Sequence, residues 1–362
     1  MGEGIGIRIR PVRMVPSAIA AAAALLLAAP VDAQWLDFKT PDVPRTADGK
    51  LNVAAPVPRA ADGKPDLSGL WRISAGVGYG LNIVTDLKPD ELSSSAKNLS
   101  RQRAENLWTA DPGVDCLPYG TRVMSSALGR LAKVVQTSTL IVVLFEDLTY
   151  RQIFLDGRSL PKEPNPSFMG YSVGHWEADT LVVESTGFND RSWLDGAGHP
   201  HSETLRLTER WRRKSFGEID LQLTFEDPTF YVRPWTVPVS VRFAADTELL
   251  ESVCSENEKS RARMVGRTDT DRTFTMSPTA LSVYVGTYEV ESSSRFAGAR
   301  VLDVVLVEGE LLLNFDGKGK TSLVPLTETT FAHSLGFVEF VRDGQGNVTH
   351  LMINANRAVR KR

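Results

Sequence analysis

The residues with the clearest chemical potential lie in the stretch WLDGAGHPHSETLRL, residues 193–207. Alternate side chains of an extended chain share one face, so His199, His201 and Glu203 are expected to point the same way. Imidazole and carboxylate groups suit Zn, Fe or Mn, and this face therefore predicts a divalent-metal site. Pro200 lies between the two histidines and favours a turn instead. With such a turn we expect no cofactor, and the divalent metal is the alternative.

The same stretch suits general acid–base chemistry. The imidazole of His201 titrates near neutrality, and the carboxylate of Glu203, with Asp195 or Asp190 from the preceding loop, would tune it. Parity with Leu205 places His201 and Glu203 at the mouth of a barrel, where polar groups beside an apolar interior form ligand sites. The remaining interpretation is a loop whose polar side chains hydrogen-bond the backbone.

Aromatic residues recur in and beside this region. Trp176, Trp193, Trp211 and Tyr231 are candidates for lining a cavity, which would favour a flat or apolar ligand. Arg206 is a candidate for binding a carboxylate. Core packing and the plugging of strand ends account for most of the aromatic side chains, and cavity lining is the alternative for some of them. These five residues are the predicted ligand contacts.

A second motif suggests a hydrolase at first reading. Residues 170–174, GYSVG, fit the G-x-S-x-G pattern of a nucleophile elbow, with Ser172 as the nucleophile. An elbow needs a helix directly after the turn, whereas HWEADTLVVE follows here and has the pattern of a hairpin. We therefore interpret Ser172 as a strand residue.

Most of the remaining chain alternates apolar and polar residues, which is typical of strands with one buried face. In EIDLQLTFED, residues 218–227, every odd-numbered residue up to 225 is apolar. Successive strands of this kind predict antiparallel barrels or sandwiches. One helical region is expected at 88–108, with Asp86 as N-cap and Pro89 in the first turn.

The N-terminus has the pattern of a secretory signal peptide: arginines, an Ala- and Leu-rich run too short to cross a bilayer, and small residues before Gln34. We therefore expect an exported protein, periplasmic or secreted, with no stable membrane span after cleavage. The predicted organisation is a signal peptide at 1–33, an extended arm at 34–64, a barrel domain at 65–260, a linker at 261–279 and a smaller barrel domain at 280–362.

Charge and cysteine content narrow the class of protein further. The net charge is −3 at pH 7, which argues against a nucleic-acid partner because such a partner requires a basic surface. The two cysteines, Cys116 and Cys254, suggest one disulfide in an exported chain, and two free buried thiols are the alternative.

Residues 65–257 resemble two groups of proteins. The GLW at 69–71 is similar to the G-x-W strand of lipocalin-like, or calycin, barrels. The longer pieces PDLSGLW, DCLPYG, YRQIFLDGR, GYSVGHWEADTLVVESTGFND, WLDGAGHPHSETLRLTERWRR and CSENE resemble an uncharacterised family of exported bacterial proteins. The first resemblance implies a barrel, and the second implies no activity.

Residues 281–355 resemble the small lipocalin-like domain found behind serine β-lactamase-type hydrolases. The matching pieces are YVGTYEV, LLLNF and FVRDGQGNVTHLMI. In those proteins the domain is an accessory module that is sometimes involved in oligomerisation. The resemblance implies an interaction or ligand-binding barrel here and does not imply the chemistry.

These observations predict an all-β protein of two lipocalin/calycin-like antiparallel barrels, with one short helical insertion in the first. The predicted function is the binding of a small, largely apolar molecule in the first barrel. One alternative is a hydrolase, lyase or isomerase with a His/Glu acid–base pair at the barrel mouth. Another is an envelope interaction or oligomerisation module, with a homo-oligomer formed through the C-terminal barrel.

Overall fold

The computed structural model describes residues 38–127, 129–256, 274–291 and 299–361. The predicted signal peptide and most of the predicted linker lie outside these residues. Within them, no helix combines the length and apolar character that a membrane-crossing helix needs.

The first barrel closes nine strands in sequence order, with β1 paired to β9. Inward and outward residues alternate, as they do along β8, where Leu221 and Leu223 are buried and Gln222 is exposed. The strands are β1 (Gly69–Ser74), β2 (Arg130–Gln136), β3 (Leu140–Phe145), β4 (Tyr150–Phe154), β5 (Tyr171–Glu177), β6 (Thr180–Thr186), β7 (Arg206–Ser215), β8 (Glu218–Glu226) and β9 (Trp235–Phe243).

One pair in this barrel departs from the antiparallel pattern. Strands β4 and β5 run parallel, and only Ile153–Ser172 and Phe154–Val173 are in register. A parallel pair needs a long crossover, which residues 155–170 provide. This segment contains three prolines, which lack the N–H needed to continue a sheet.

The second barrel closes eight antiparallel strands. Its β11–β12 hairpin turns at Glu308 and Gly309, both with positive φ, which is the conformation of a two-residue hairpin turn. The strands are β10 (Gly286–Val290), β11 (Val301–Val307), β12 (Glu310–Phe315), β13 (Lys318–Pro325), β14 (Thr330–His333), β15 (Gly336–Arg342), β16 (Val348–Ile353) and β17 (Asn356–Arg360). The prediction of two all-β barrels is confirmed.

Helices are short and few in the described residues. The predicted insertion is present, but its α-helix begins at Ser94 because the Ser93 hydroxyl caps it by accepting from the Ala96 amide. Asp86 is not the cap, since its carboxylate accepts a hydrogen bond from Tyr79. The α-helices are α1 (Gly76–Leu81), α2 (Ser94–Glu105) and α3 (Pro278–Ser282), and the 3-10 helices are Pro89–Glu91, Pro112–Asp115 and Gly120–Met124.

Helix α1 joins the two barrels. Val77 and Leu81 pack into the core of the second barrel, and Tyr79 packs on the core of the first. Gly78 lies against β13, where a Cβ atom on it would come within 2.7 Å of the Lys318 Cβ. The absence of a side chain there lets the backbones of the two barrels approach closely.

Residues 38–64 lie along the first barrel as a duplicated hairpin motif. In each repeat an arginine, Arg45 or Arg59, donates to the carbonyl of the glycine four residues later. Each arginine also pairs with an aspartate of the first domain, Arg45 with Asp246 at 2.5 Å and Arg59 with Asp179 at 2.6 Å. The duplication therefore repeats one docking contact.

The two cysteines are paired. The sulfur atoms of Cys116 and Cys254 lie at bonding distance, with Cα atoms 5.5 Å apart, which confirms the predicted disulfide. The bond joins the end of the Pro112–Asp115 helix to the chain that follows β9.

Candidate functional site

A groove of about 670 Å³ lies between the two barrels and is called the interbarrel groove. The first domain contributes α2, the loops beside it and the loop after β6, while the second contributes β11, β12 and β13. The side chains that matter most below are Val84, Leu92, Lys97, Trp108, His199 and Lys320.

The loop after β6 presents a histidine–aspartate pair to this groove. His199 lines the groove, and its Nδ1 lies 2.7 Å from Oδ2 of Asp195. The Asp195 carboxylate is fully buried and also accepts from the backbone amides of Ile83, Gly198 and His199, at 2.8, 3.0 and 3.1 Å. These contacts fix the ring in one orientation.

Local sequence explains this geometry. An aspartate followed by Gly-Ala-Gly favours a tight turn in which the side chain caps its own backbone. Gly198 adopts a φ of +87°, and a Cβ atom there would lie 3.2 Å from Arg103. Arg103 of α2 in turn donates to the Gly198 carbonyl at 2.7 Å. The loop is therefore fixed both by the hydrogen bonds of Asp195 within it and by Arg103 of α2.

The Asp195 carboxylate is ionised despite its burial. Burial raises the pKa of such a group, but here the charge and hydrogen bonds of His199 and the Ile83 amide outweigh burial and lower the pKa. An ionised carboxylate can only accept a hydrogen bond, so Nδ1 of His199 is the donor in this contact. No described residue hydrogen-bonds Nε2, so this nitrogen is available to a molecule in the groove.

His201 has a different environment. Its Nε2 lies 2.8 Å from Oγ of Ser192, both residues are buried, and neither lines the interbarrel groove. Burial lowers the pKa of His201, which keeps the ring neutral near pH 7. Tyr231 packs against the same loop and donates a hydrogen bond to the Pro200 carbonyl at 2.8 Å. Burial raises the pKa of the Tyr231 hydroxyl well above its ordinary value.

The predicted face of His199, His201 and Glu203 does not form. The chain turns at Glu203 and Thr204 before β7 begins, and Glu203 is exposed. Asp227 imposes this turn from the end of β8 by accepting from the amide and hydroxyl of Ser202, at 2.6 and 2.8 Å. The described residues contain no cluster of three or more metal-ligating side chains.

The other predicted contacts are placed away from the groove. Trp211 is in the core of the first barrel and Trp176 packs against that core, while Arg206 is exposed at the start of β7. Trp193 is buried beneath the guanidinium of Arg103, 4.7 Å from its ring centre. The structure thus brings Asp195 and His199 into direct contact, and Tyr231 bonds the same loop, while the remaining candidates lie elsewhere in the first domain.

Sequence reasoning missed three groove residues that matter. Trp108 follows the helical insertion and is held by a 3.4 Å hydrogen bond from its Nε1 to the Ala197 carbonyl. Its position at the end of the predicted 88–108 segment was the available signal. Lys97 and Lys320 lie far apart in the sequence, and no local pattern links them.

Comparison with known proteins adds little. No protein-family model matches the chain, and no curated protein matches it significantly. Two solved structures, described as "Crystal structure of SurE" and "Crystal structure of SurE with D-Leu", are each 15% identical, with a TM-score of 0.21. The matches cover 45% and 57% of this chain, and 38% and 42% of those chains. The chain spans less than half of each, and so low a score carries no argument.

Proposed function

We propose that the protein binds a small molecule with apolar and hydrogen-bonding parts in the interbarrel groove. The observation that carries this proposal is the Asp195–His199 pair, which presents one free ring nitrogen to a groove of about 670 Å³. Ligand sites in proteins have volumes of roughly 300–1,000 Å³ and combine apolar walls with a few fixed polar groups.

The walls of the groove fit such a molecule. Val84, Leu92 and Trp108 supply apolar surface, and Lys97 and Lys320 supply cations that form no ion pair with any described residue. The interior of the first barrel holds a continuous cluster of buried side chains. This is why the ligand is placed in the groove and not inside that barrel.

A metabolite screen by thermal shift, followed by calorimetric titration of each hit, tests the proposal. Asn98→Trp would fill the groove from α2, and Gln102→Trp is its control because Gln102 is exposed on the same helix and does not line the groove. We expect N98W to abolish binding and Q102W to preserve it. A ligand that binds N98W as tightly as the wild type would overturn the proposal.

His199→Asn removes the ring nitrogen that bonds the ligand. Loss of one buried hydrogen bond is expected to weaken binding about tenfold. His175→Asn is the matched control, because His175 is an exposed histidine on β5. Equal affinities of H199N and H175N would remove His199 from the site.

A second candidate function follows from the same pair. A histidine oriented by a buried carboxylate is the arrangement of a general base. If the ligand is a substrate, H199N should reduce turnover about 100-fold or more, while H175N should leave it unchanged. Binding without turnover in the wild type would rule out this second function for that ligand.

We further propose that the protein is exported and that the second barrel mediates self-association. The signal-peptide pattern supports export, and the resemblance of residues 281–355 to an accessory module supports association. N-terminal sequencing of protein recovered from the cell envelope should begin near Gln34. Light scattering should give a mass above that of one chain, and a monomer mass would contradict association.

A further inference from the structure

The parallel pair of the first barrel leaves an opening in its wall. Strands β4 and β5 share only two residue pairs, and beyond them the chain at 167–170 diverges from the start of β4. The opening, called the β4–β5 cleft, has a volume of about 470 Å³. The lining residues used below are Tyr150, Arg151, Gln152, Phe154, Tyr171 and Ser172.

A buried polar network lies at the base of this cleft. Arg151 is 3% exposed, and its Nη2 lies 2.5 Å from Oε1 of the fully buried Glu209. The guanidinium also donates to Ser172 at 3.0 Å and to Ser185 at 2.7 Å. Trp211 donates to the other oxygen of Glu209 at 3.0 Å.

A buried ion pair of this kind adds little net stability to a barrel interior. Burial of two charges offsets most of their mutual attraction, and apolar residues of similar volume would stabilise the barrel as well or better. The network also leaves donors unused, because a guanidinium has five N–H groups. Nε and Nη2 of Arg151 are occupied, but no described residue accepts a hydrogen bond from Nη1.

The walls of the cleft are aromatic. Phe154 and Tyr171 stack with ring centres 5.3 Å apart, and the guanidinium of Arg158 covers Phe154 at 3.9 Å. Tyr150 is 61% exposed at the rim. Stacked rings of this kind favour a flat, apolar partner.

The charges at the base select the polar group of that partner. Arg151 and Glu209 together are neutral, so a carboxylate entering the cleft would bring an unpaired negative charge close to Glu209. A neutral carbonyl oxygen would accept from Nη1 without this penalty. We propose that the β4–β5 cleft binds a small aromatic molecule bearing an uncharged carbonyl group, with Arg151 as the donor.

Three probes of nearly equal shape test this proposal. Acetophenone carries the carbonyl, α-methylstyrene replaces its oxygen with CH₂, and benzoate replaces the acyl group with an anion. We expect acetophenone to bind about tenfold more tightly than α-methylstyrene, because a hydrogen bond to a charged donor is lost. We also expect benzoate to bind more weakly than acetophenone. Binding can be followed by ligand-observed NMR.

Variants locate the site. Gln152→Trp would fill the cleft from the exposed side of β4, and Gln222→Trp is the control because Gln222 is exposed on β8 outside the cleft. Q152W should weaken acetophenone binding at least tenfold, while Q222W and the groove variant N98W should not change it. Arg151→Lys keeps the charge but removes Nη1, so the preference for acetophenone over α-methylstyrene should disappear.

Several outcomes would overturn the proposal: no binding of acetophenone at millimolar concentration, equal affinity for acetophenone and α-methylstyrene, tighter binding of benzoate, or undiminished binding by Q152W. The probe series on the wild-type protein decides the question even if R151K fails to fold. Because N98W affects only the interbarrel groove, failure of this proposal is distinguishable from failure of the proposed function.

Discussion

Both barrels are closed and largely antiparallel sheets, but they differ in the polar groups that they enclose. The first holds the Arg151–Glu209 ion pair, and the second holds an uncharged histidine, His333. The His333 ring has neutral partners only: Nε2 contacts Oγ1 of Thr321 at 2.6 Å, and Nδ1 accepts from the Leu335 amide at 3.1 Å. Burial lowers the pKa of His333 to about 3.

The difference in buried polar groups parallels a difference in how completely each sheet is hydrogen-bonded around its barrel. The second barrel is antiparallel throughout, and its interior is packed by the aromatic residues Tyr284, Phe331 and Phe340. The first barrel has one short parallel pair, and the cleft at that pair reaches the buried arginine. The buried Arg151–Glu209 ion pair therefore lies beside the opening in the first barrel, whereas the continuous second barrel encloses a neutral histidine.

The disulfide is present in the first barrel domain alone, and its removal is the largest expected effect. The sequence separation of Cys116 and Cys254 is 138 residues. The loop-entropy model predicts that replacing both by Ser lowers the free energy of unfolding by about 4–5 kcal/mol. All seven tryptophans lie before residue 257, so tryptophan fluorescence in urea reports on the first domain. An unchanged midpoint would contradict the prediction.

Glu209→Ala breaks the interior ion pair and leaves Arg151 buried and unpaired. The expected loss in the free energy of unfolding is about 3–5 kcal/mol. Glu226→Ala is the control, because Glu226 is exposed at the end of β8, and a surface change of this kind costs about 0.5 kcal/mol or less. The double variant Arg151→Met/Glu209→Met should regain most of the lost stability. Similar midpoints for E209A and E226A would show that the pair is not desolvated in solution.

The sequence predicted features that depend on repeated local patterns. Alternation along strands such as β8 predicted both barrels. The Asp195–His199 contact was not predicted, because Asp195 was expected to tune His201. The parallel β4–β5 pair was not predictable in this way, because it depends on the path of the whole 155–170 crossover.

The site was predicted less well than the fold because its geometry depends on distant residues. Glu203 was expected to point inward by parity, but Asp227 of another hairpin turns the chain at Ser202. Lys320 reaches the interbarrel groove only because α1 docks the second barrel on the first. Such contacts leave no periodic signal in the sequence.

The second barrel should lose stability in mild acid through His333. Its folded pKa of about 3 lies below the ordinary value of 6.5, so the unfolded state takes up the proton first as the pH falls below 6.5. Stability should therefore decrease from pH 6.5 toward pH 3, by roughly 1 kcal/mol per pH unit for this one proton.

His333→Gln isolates this contribution. The variant should be less stable at pH 7 but should show a shallower decrease of stability between pH 6.5 and 4.5. Hydrogen–deuterium exchange of the backbone amides of residues 299–361, read by mass spectrometry at each pH, follows the opening of the second barrel. Parallel pH profiles of the variant and the wild type would mean that His333 is solvated.

The smallest expected effect concerns two tyrosines, one in each barrel domain. Each donates one hydrogen bond to a backbone carbonyl of its own domain. Tyr231 donates to Pro200 at 2.8 Å, and Tyr288 donates to Tyr284 at 2.7 Å. Replacement of either by Phe should lower the free energy of unfolding by about 1 kcal/mol. Only Tyr231→Phe loosens the loop that carries His199, so only this variant should weaken binding in the interbarrel groove, by a few-fold. Equal affinities of Y231F and Y288F would mean that Asp195 alone fixes the ring.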